Sequence, residues 1–174
     1  KCFEGVNVII NLVGEKIFQK WTKKSKKEIL SSRIKPIDLL MKGIKRSNEI
    51  GIRSFVSASA IGIYQNDFEK NYTENETVDP QDFIQKTVYE WEKKSMSVRK
   101  LIPHTSILRI GLVLSKKNGY LKETDYPMKF GIGIQLGSGK QWQSWIHIDD
   151  LANIFLFIAD TNSRGIYNAV APNP

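Results

Sequence analysis

The alternation of strand-like and helix-like segments is the feature that most constrains how this chain can fold. Short apolar runs rich in β-branched residues predict strands over residues 6–14, 52–59, 104–115 and 165–172. Apolar stripes predict helices over 22–48, 83–100 and 149–160, and a short extended piece is predicted over 143–148. Strand–helix–strand order requires crossover connections, and near-continuous apolar strands indicate a sheet covered on both faces. The sequence therefore predicts an α/β fold with a parallel sheet.

The connections between these segments indicate where a site can lie. Pro36 stands inside the first helical segment, where a proline can bend or divide a helix. One short helix is predicted near 121–130. The polar loop over 64–82 is long, and loops of that length are more often functional than accidental. Parallel sheets bind ligands outside the carboxyl ends of their strands, so the places to search are the turns after Leu12, Ser59 and Gly111.

The charge of the chain restricts the kinds of partner. Lysine and arginine outnumber aspartate and glutamate by 26 to 18, and the net charge of +8 attracts phosphate groups of any kind. In the densest basic run, residues 19–27, one helix face would carry Lys20, Lys23, Lys24 and Lys27. A solvated lysine face is the favoured interpretation. Nucleic-acid binding is the less favoured one, because no nucleic-acid motif accompanies the lysines.

The remaining composition indicates an ordinary globular domain. No apolar run reaches the ~18 residues that span a membrane, and the first residues lack a signal-peptide layout. Cys2 is the only cysteine, which excludes a disulfide framework and a cysteine-based zinc site. We therefore expect a soluble cytoplasmic protein in a reducing compartment, without a membrane partner.

Six segments of the chain carry a family resemblance. They are "VNVIINLVGEKI", "KWTKKSKKEILSSRI", "FVSASAIGIY", "LRIGLVLS", "GIGIQLGSGKQWQSWIHIDDLA" and "YNAVAPNP", in that order. Together they resemble the extended short-chain dehydrogenase/reductase superfamily, and within it the NAD-dependent epimerase/dehydratase-like branch with its "SASAVGYYG…GSGRQWMPWIHIDDL…APNP" pattern. The resemblance covers almost the whole chain. It implies a Rossmann-type doubly wound parallel sheet that binds NADP(H) or NAD(H) and acts on a small-molecule substrate.

The resemblance also implies that part of the family's domain is missing from the sequence. The family's glycine-rich phosphate loop belongs to an opening strand, and no glycine-rich strand-to-helix turn occurs near Lys1. Residues 1–174 are therefore expected to form a partial NAD(P)-binding domain from the fourth strand onward, with substrate-pocket elements in about 116–148. We expect these residues alone to bind dinucleotide weakly or not at all.

The resemblance assigns a set of residues to the cofactor. They are Leu12, Val13, Gly14, Glu28, Arg33, Leu112 and Val113. Arg33 carries a fork of donors suited to phosphate or ribose oxygens. Other interpretations remain open for each of them: an ordinary strand-to-loop turn for "NLVGE", surface ion pairs for Glu28 and Arg33, and core packing for Leu112 and Val113.

The catalytic assignment is a single residue. Ser57 and Ser59 share one face of a strand, and the superfamily's substrate-binding Ser or Thr matches Ser59. Its usual partners are a Tyr-x-x-x-Lys pair for proton transfer. Anchoring on "WE" at 91–92 puts those positions near Ile84 and Val88, which cannot do that chemistry. The literal match at Tyr89 and Lys93 is displaced by five residues, so it would be turned around the helix.

The segment "GSGKQWQSWIHIDD" suggests a ligand surface followed by a helix start. Trp142, Trp145 and His147 are assigned to the wall of the substrate pocket, with packing as the alternative. A metal site is disfavoured, because the only other histidine is His104 and a site needs more ligands. Asp149 is predicted to cap the following helix, and Asp150 to complement its dipole.

The functional reading that follows is an NAD(P)-dependent oxidoreductase or epimerase-like protein. A catalytically degenerate dinucleotide-binding protein is the alternative, since the Tyr/Lys pair is out of register; some family members have been labelled cell-division inhibitors. A basic nucleic-acid-binding module is a third and weaker reading. A homodimer through the helices predicted at 22–48 and 83–100 is a further possibility.

Overall fold

The computed structural model describes residues 3–47, 51–116 and 138–174. Its strands are β1 (Val8–Asn11), β2 (Ser54–Ala60), β3 (His104–Ile110), β4 (Leu112–Leu114), β5 (Trp145–His147) and β6 (Gly165–Ala169). Its α-helices are α1 (Lys23–Arg46), α2 (Phe83–Met96) and α3 (Ile148–Asp160). Short 3₁₀ turns follow β2 at Ile61–Ile63 and α2 at Ser97–Lys100. No helix within these ranges has the length and apolarity needed to cross a membrane.

The main sheet is parallel, as the sequence predicted. Its strand order is β1-β2-β3-β6, and every neighbouring pair runs in the same direction. Residues 54–59 of β2 are buried without interruption, so both faces of the central strand are covered. Helix α2 contacts β2 and β3, and α3 also contacts β2. This is a Rossmann-type α/β arrangement.

Strand β3 ends earlier than the sequence predicted. One strand was expected over 104–115, but Gly111 separates β3 from β4, which leaves the main sheet and pairs with β5. A side chain at Gly111 would place its Cβ 2.6 Å from the carbonyl oxygen of Ser144. The missing side chain therefore permits the two chain segments to approach closely where the strand changes sheets.

One expectation about helices is wrong, one is narrowed and one falls outside the described ranges. Pro36 lies inside α1 without dividing it, and the helix continues to Arg46. The cap of α3 is His147 rather than Asp149: the His147 Nδ1 accepts a hydrogen bond of 3.3 Å from the Asp149 backbone N–H. Asp149 and Asp150 both lie in the first helical turn, where carboxylates complement the helix dipole. The short helix predicted near 121–130 lies outside the described residues.

Candidate functional site

The carboxyl end of β1 presents two apolar side chains to solvent. Leu12 and Val13 follow the strand directly, and they are 64% and 50% exposed. Asn11, just before them, is buried and donates from Nδ2 to the Ser57 hydroxyl at 3.1 Å. Exposed apolar side chains on an ordered turn at this edge form a surface that a flat ligand can cover.

The pairing of β4 with β5 joins two sets of residues that the sequence assigned separately. In register, Leu112 pairs with Trp145 and Leu114 with His147. Val113 lies between them, opposite the buried Ile146. Residues assigned to the cofactor thus lie beside residues assigned to the substrate, although about thirty positions separate them in the chain.

Trp142 lies against the long polar loop. Its indole Nε1 donates to the carbonyl oxygen of Phe68 at 3.0 Å. Both side chains remain largely exposed, Trp142 at 63% and Phe68 at 66%. Sequence reasoning singled out the loop 64–82 but not Phe68, because no pattern indicates which loop residue meets a tryptophan 74 positions away.

An open cavity of about 420 Å³ borders the segment that contains β5. Trp145 lines it together with Asp150, Ile154 and the segment 170–173. Trp145 therefore adjoins a cavity, whereas Trp142 contacts the loop and His147 caps a helix. The three residues assigned to one pocket wall lie in one segment but have different surroundings.

Ser59 belongs to a buried hydrogen-bond network. Its hydroxyl donates to Glu92 Oε1 at 2.6 Å, and the same carboxylate accepts two bonds of 2.9 Å from Arg109. All three side chains are less than a tenth exposed. Burial alone lowers the pKa of Arg109, but its hydrogen bonds with Glu92 and the charge of that carboxylate outweigh burial and raise it. Arg109 therefore stays protonated throughout the ordinary pH range.

Tyr64 extends this network to the long loop. Its hydroxyl accepts from Arg109 Nη1 and donates to Asn168 Oδ1, both at 2.8 Å. Its ring stacks on Tyr72 with centroids 5.0 Å apart. Glu74 accepts from the Asn168 backbone N–H at 2.7 Å. Hydrogen bonds of Tyr64 and Glu74 thus attach the loop to β3 and β6. The sequence did not indicate this role of the two residues.

The positions at which the superfamily carries its Tyr/Lys pair are apolar and packed. Val88 is 1% exposed. Ile84 packs against Gly62, and a Cβ added to that glycine would lie 3.1 Å from the Ile84 Cγ2 methyl group. The literal pair lies on the outer face of α2, with Tyr89 38% exposed and Lys93 also exposed.

The two charged residues assigned to the cofactor differ sharply. Glu28 is exposed and lies 4.0 Å from Lys24, an ordinary i,i+4 surface pair. Arg33 is 6% exposed and donates to the backbone oxygens of Ile29 and Glu15. The four lysines assigned to one helix face are exposed as well, but Lys20 precedes α1, so only the other three of the four belong to the helix.

The fold and the residues at its carboxyl edge define a Rossmann-type domain, and comparison with known proteins refines that class. An epimerase family protein of Staphylococcus saprophyticus is 38% identical over 168 residues, which cover 96% of this chain and 56% of that protein. The crystal structure of the human epimerase family protein SDR39U1 (isoform 2) with NADPH matches with a TM-score of 0.87 at 30% identity, over 96% of this chain and 57% of that one. A nucleoside-diphosphate sugar epimerase of Corynebacterium glutamicum matches with a TM-score of 0.80, also at 30% identity, over 99% of this chain and 36% of that one.

These likenesses confirm the resemblance to the epimerase branch of the extended short-chain dehydrogenase/reductase proteins. No protein-family model matches the chain. The chain spans about half the length of the curated relatives it matches, 56% in the Staphylococcus saprophyticus protein.

Proposed function

We propose that residues 1–174 are part of a nicotinamide-dinucleotide-dependent epimerase or oxidoreductase that acts on a small carbonyl or sugar-nucleotide-like substrate. The observation that carries this proposal is the edge at which β1 and β3 end. Leu12 and Val13 extend from one strand, and Leu112 and Val113, beyond the other, pair with the segment that contains Trp145 and His147. Residues that the family resemblance assigned to the cofactor and to the substrate thus meet at that edge.

The described residues fit the nicotinamide and ribose side of a dinucleotide. Leu12 and Val13 offer an exposed apolar surface, and the nearby buried Arg33 has an Nε–H that finds no hydrogen-bond partner among the described residues. In the proposed complex, NADP(H) or NAD(H) supplies hydride transfer. The residues that would hold it are Leu12, Val13 and Gly14 after β1 and Leu112 and Val113 after β3, together with the exposed Glu28 on α1.

Ser59 is the proposed polar contact to the substrate oxygen. Its hydroxyl proton is directed at Glu92, so donation to a substrate requires the hydroxyl to rotate away from that carboxylate. The apolar side chains of Ile84 and Val88 favour a second candidate function, in which the domain binds dinucleotide without turning it over.

Binding tests the proposal most directly in the full-length protein. We predict that NADPH or NADH binds, and that Val13→Asp raises the dissociation constant at least about tenfold, because a carboxylate then opposes the anionic ligand. Leu39→Asp is the matched control, since Leu39 is an exposed apolar residue (72%) on α1. Titration calorimetry measures both.

Equal affinities of the Val13→Asp variant and the wild-type protein would contradict the assigned surface. Absence of binding for both dinucleotides would contradict the proposed function itself. The second candidate function is the correct one if dinucleotide binds, no substrate in a panel is turned over, and Ser59→Ala leaves the dissociation constant of the dinucleotide unchanged.

A further inference from the structure

Side chains from neighbouring residues hold the backbone of an exposed turn after β1. The turn consists of Leu12, Val13, Gly14 and Glu15. We call these four residues the edge turn. All four are exposed, yet three hydrogen bonds fix the backbone. Val13 N–H donates to Asn11 Oδ1 at 3.4 Å, and Glu15 N–H donates to Ser32 Oγ at 2.9 Å. A turn with few apolar contacts of its own is otherwise among the first parts of a protein to open.

Arg33 makes the third bond and the closest packing. Its Nη2 donates to the Glu15 carbonyl oxygen at 3.1 Å. A Cβ added to Gly14 would lie 3.0 Å from Arg33 Cζ, so the guanidinium lies directly against the turn. The guanidinium also lies over the Trp91 ring, with Cζ 5.0 Å from the ring centroid. The guanidinium thus packs against both the edge turn and a buried indole.

In the part of the chain that the structure describes, this arrangement buries the positive charge of Arg33 without a neighbouring carboxylate to pair with it. Among the described residues, no carboxylate lies within 4.0 Å of Arg33, and its Nε–H has no partner. Burial lowers the pKa of Arg33, and the charge of Glu15 offsets part of that effect. Burying an unpaired charge is costly, so a neutral residue would suit a turn that only had to pack.

We propose that Ser32 and Arg33 of "SSR" are positioning residues that hold the edge turn in the geometry that accepts the dinucleotide. Arg33 acts through the turn: two of its donor groups are occupied by backbone oxygens, and Gly14 lies over its face. This inference rests on the proposed function for its ligand, and it replaces direct contact between Arg33 and phosphate with support of the backbone.

The test distinguishes support of the edge turn by Arg33 from direct attraction between its positive charge and the dinucleotide. In the full-length protein, Arg33→Lys keeps the charge but loses the planar fork, and Arg33→Met loses both. Support of the turn predicts that both variants weaken NADPH binding about tenfold or more and that the Val13 and Glu15 amides exchange hydrogen at least about tenfold faster. Ser32→Ala is expected to act in the same direction. Arg53→Met is the control, because the exposed Arg53 side chain forms a surface pair with Asp160.

A double-mutant cycle adds a readout that general destabilisation would not move. Gly14→Ala pushes the turn away from an intact Arg33, so its effect on the dissociation constant should not add to that of Arg33→Met. Additive effects, or retention of wild-type affinity by Arg33→Lys, would overturn the inference. If the wild-type protein binds no dinucleotide, the proposed function fails, whereas unchanged exchange at Val13 and Glu15 in the Arg33 variants refutes the support of the turn independently.

Discussion

At the scale of single residues, Glu92 is a buried carboxylate that depends on its hydrogen-bond donors. One carboxylate accepts from the Ser59 hydroxyl and twice from Arg109, and all of these groups are buried. A two-point guanidinium–carboxylate pair is directional as well as strong. Because Arg109 also donates to Tyr64, the pair connects the strand end at Ser59 with the loop 64–82.

Glu92→Gln is predicted to lower the free energy of unfolding by about 3–5 kcal/mol, because Arg109 is left as a buried cation without a counter-charge. Thermal or urea unfolding measures the loss. Glu90→Gln, an exposed position on the same helix, should change stability by less than about 0.5 kcal/mol. A Glu92→Gln protein as stable as the wild type would show that the amide replaces the carboxylate without loss.

At the scale of secondary-structure elements, the change of sheet at Gly111 places the site. Gly111 N–H still donates to Ala169 O in the main sheet at 3.1 Å, and Leu112 N–H already donates to Ser144 O at 2.8 Å. One peptide step thus moves the chain from β6 to the segment before β5. Periodicity could not reveal this step, because apolar residues stand on both sides of it, at 107, 108 and 110 and at 112–114.

Gly111→Ala is predicted to destabilise the protein by about 1–3 kcal/mol, since the new Cβ would overlap the Ser144 carbonyl oxygen unless β4 and β5 shift. The same shift should weaken ligand binding at Leu112 and Val113. Gly51→Ala is the control, because its Cβ would have ordinary contacts of 3.8 Å or more. Paired measurements of melting temperature and dinucleotide affinity check both effects; equal losses in the two variants would contradict the explanation.

At the scale of the whole molecule, the positive charge admits two kinds of phosphate ligand. The net charge of +8 attracts nucleic acid and dinucleotide alike. The lysines at 23, 24 and 27 are solvated on α1, whereas the Rossmann-type edge provides shaped, partly apolar surface. The shape of the surface at the edge of the sheet therefore favours a dinucleotide over nucleic acid.

We predict that saturating NADPH or NADH raises the melting temperature of the full-length protein, with about 2.7 kcal/mol of stabilisation at a hundred times the dissociation constant. Gel-shift assays across a salt series should give no discrete nucleic-acid complex near physiological salt. A tight complex whose affinity falls steeply with salt would instead favour the nucleic-acid reading.

The amino-acid sequence by itself determined the order of the main strands and helices and the parallel sheet, and it predicted the edge at which we propose that the ligand binds. It could do so because alternation of apolar periods is local, and strand–helix–strand order leaves few topologies. The family resemblance added the residues assigned to the cofactor and the substrate.

Only the tertiary structure decided how those residues are held. The bonds from Ser59 to Glu92 and from Arg33 to Glu15 join positions 33 and 18 residues apart, and Trp142 meets Phe68 across 74. His147 takes the helix cap predicted for Asp149, because α3 begins one residue earlier and the imidazole lies within reach of its first turn. Such contacts depend on how strands pair and helices pack, and no local pattern encodes them.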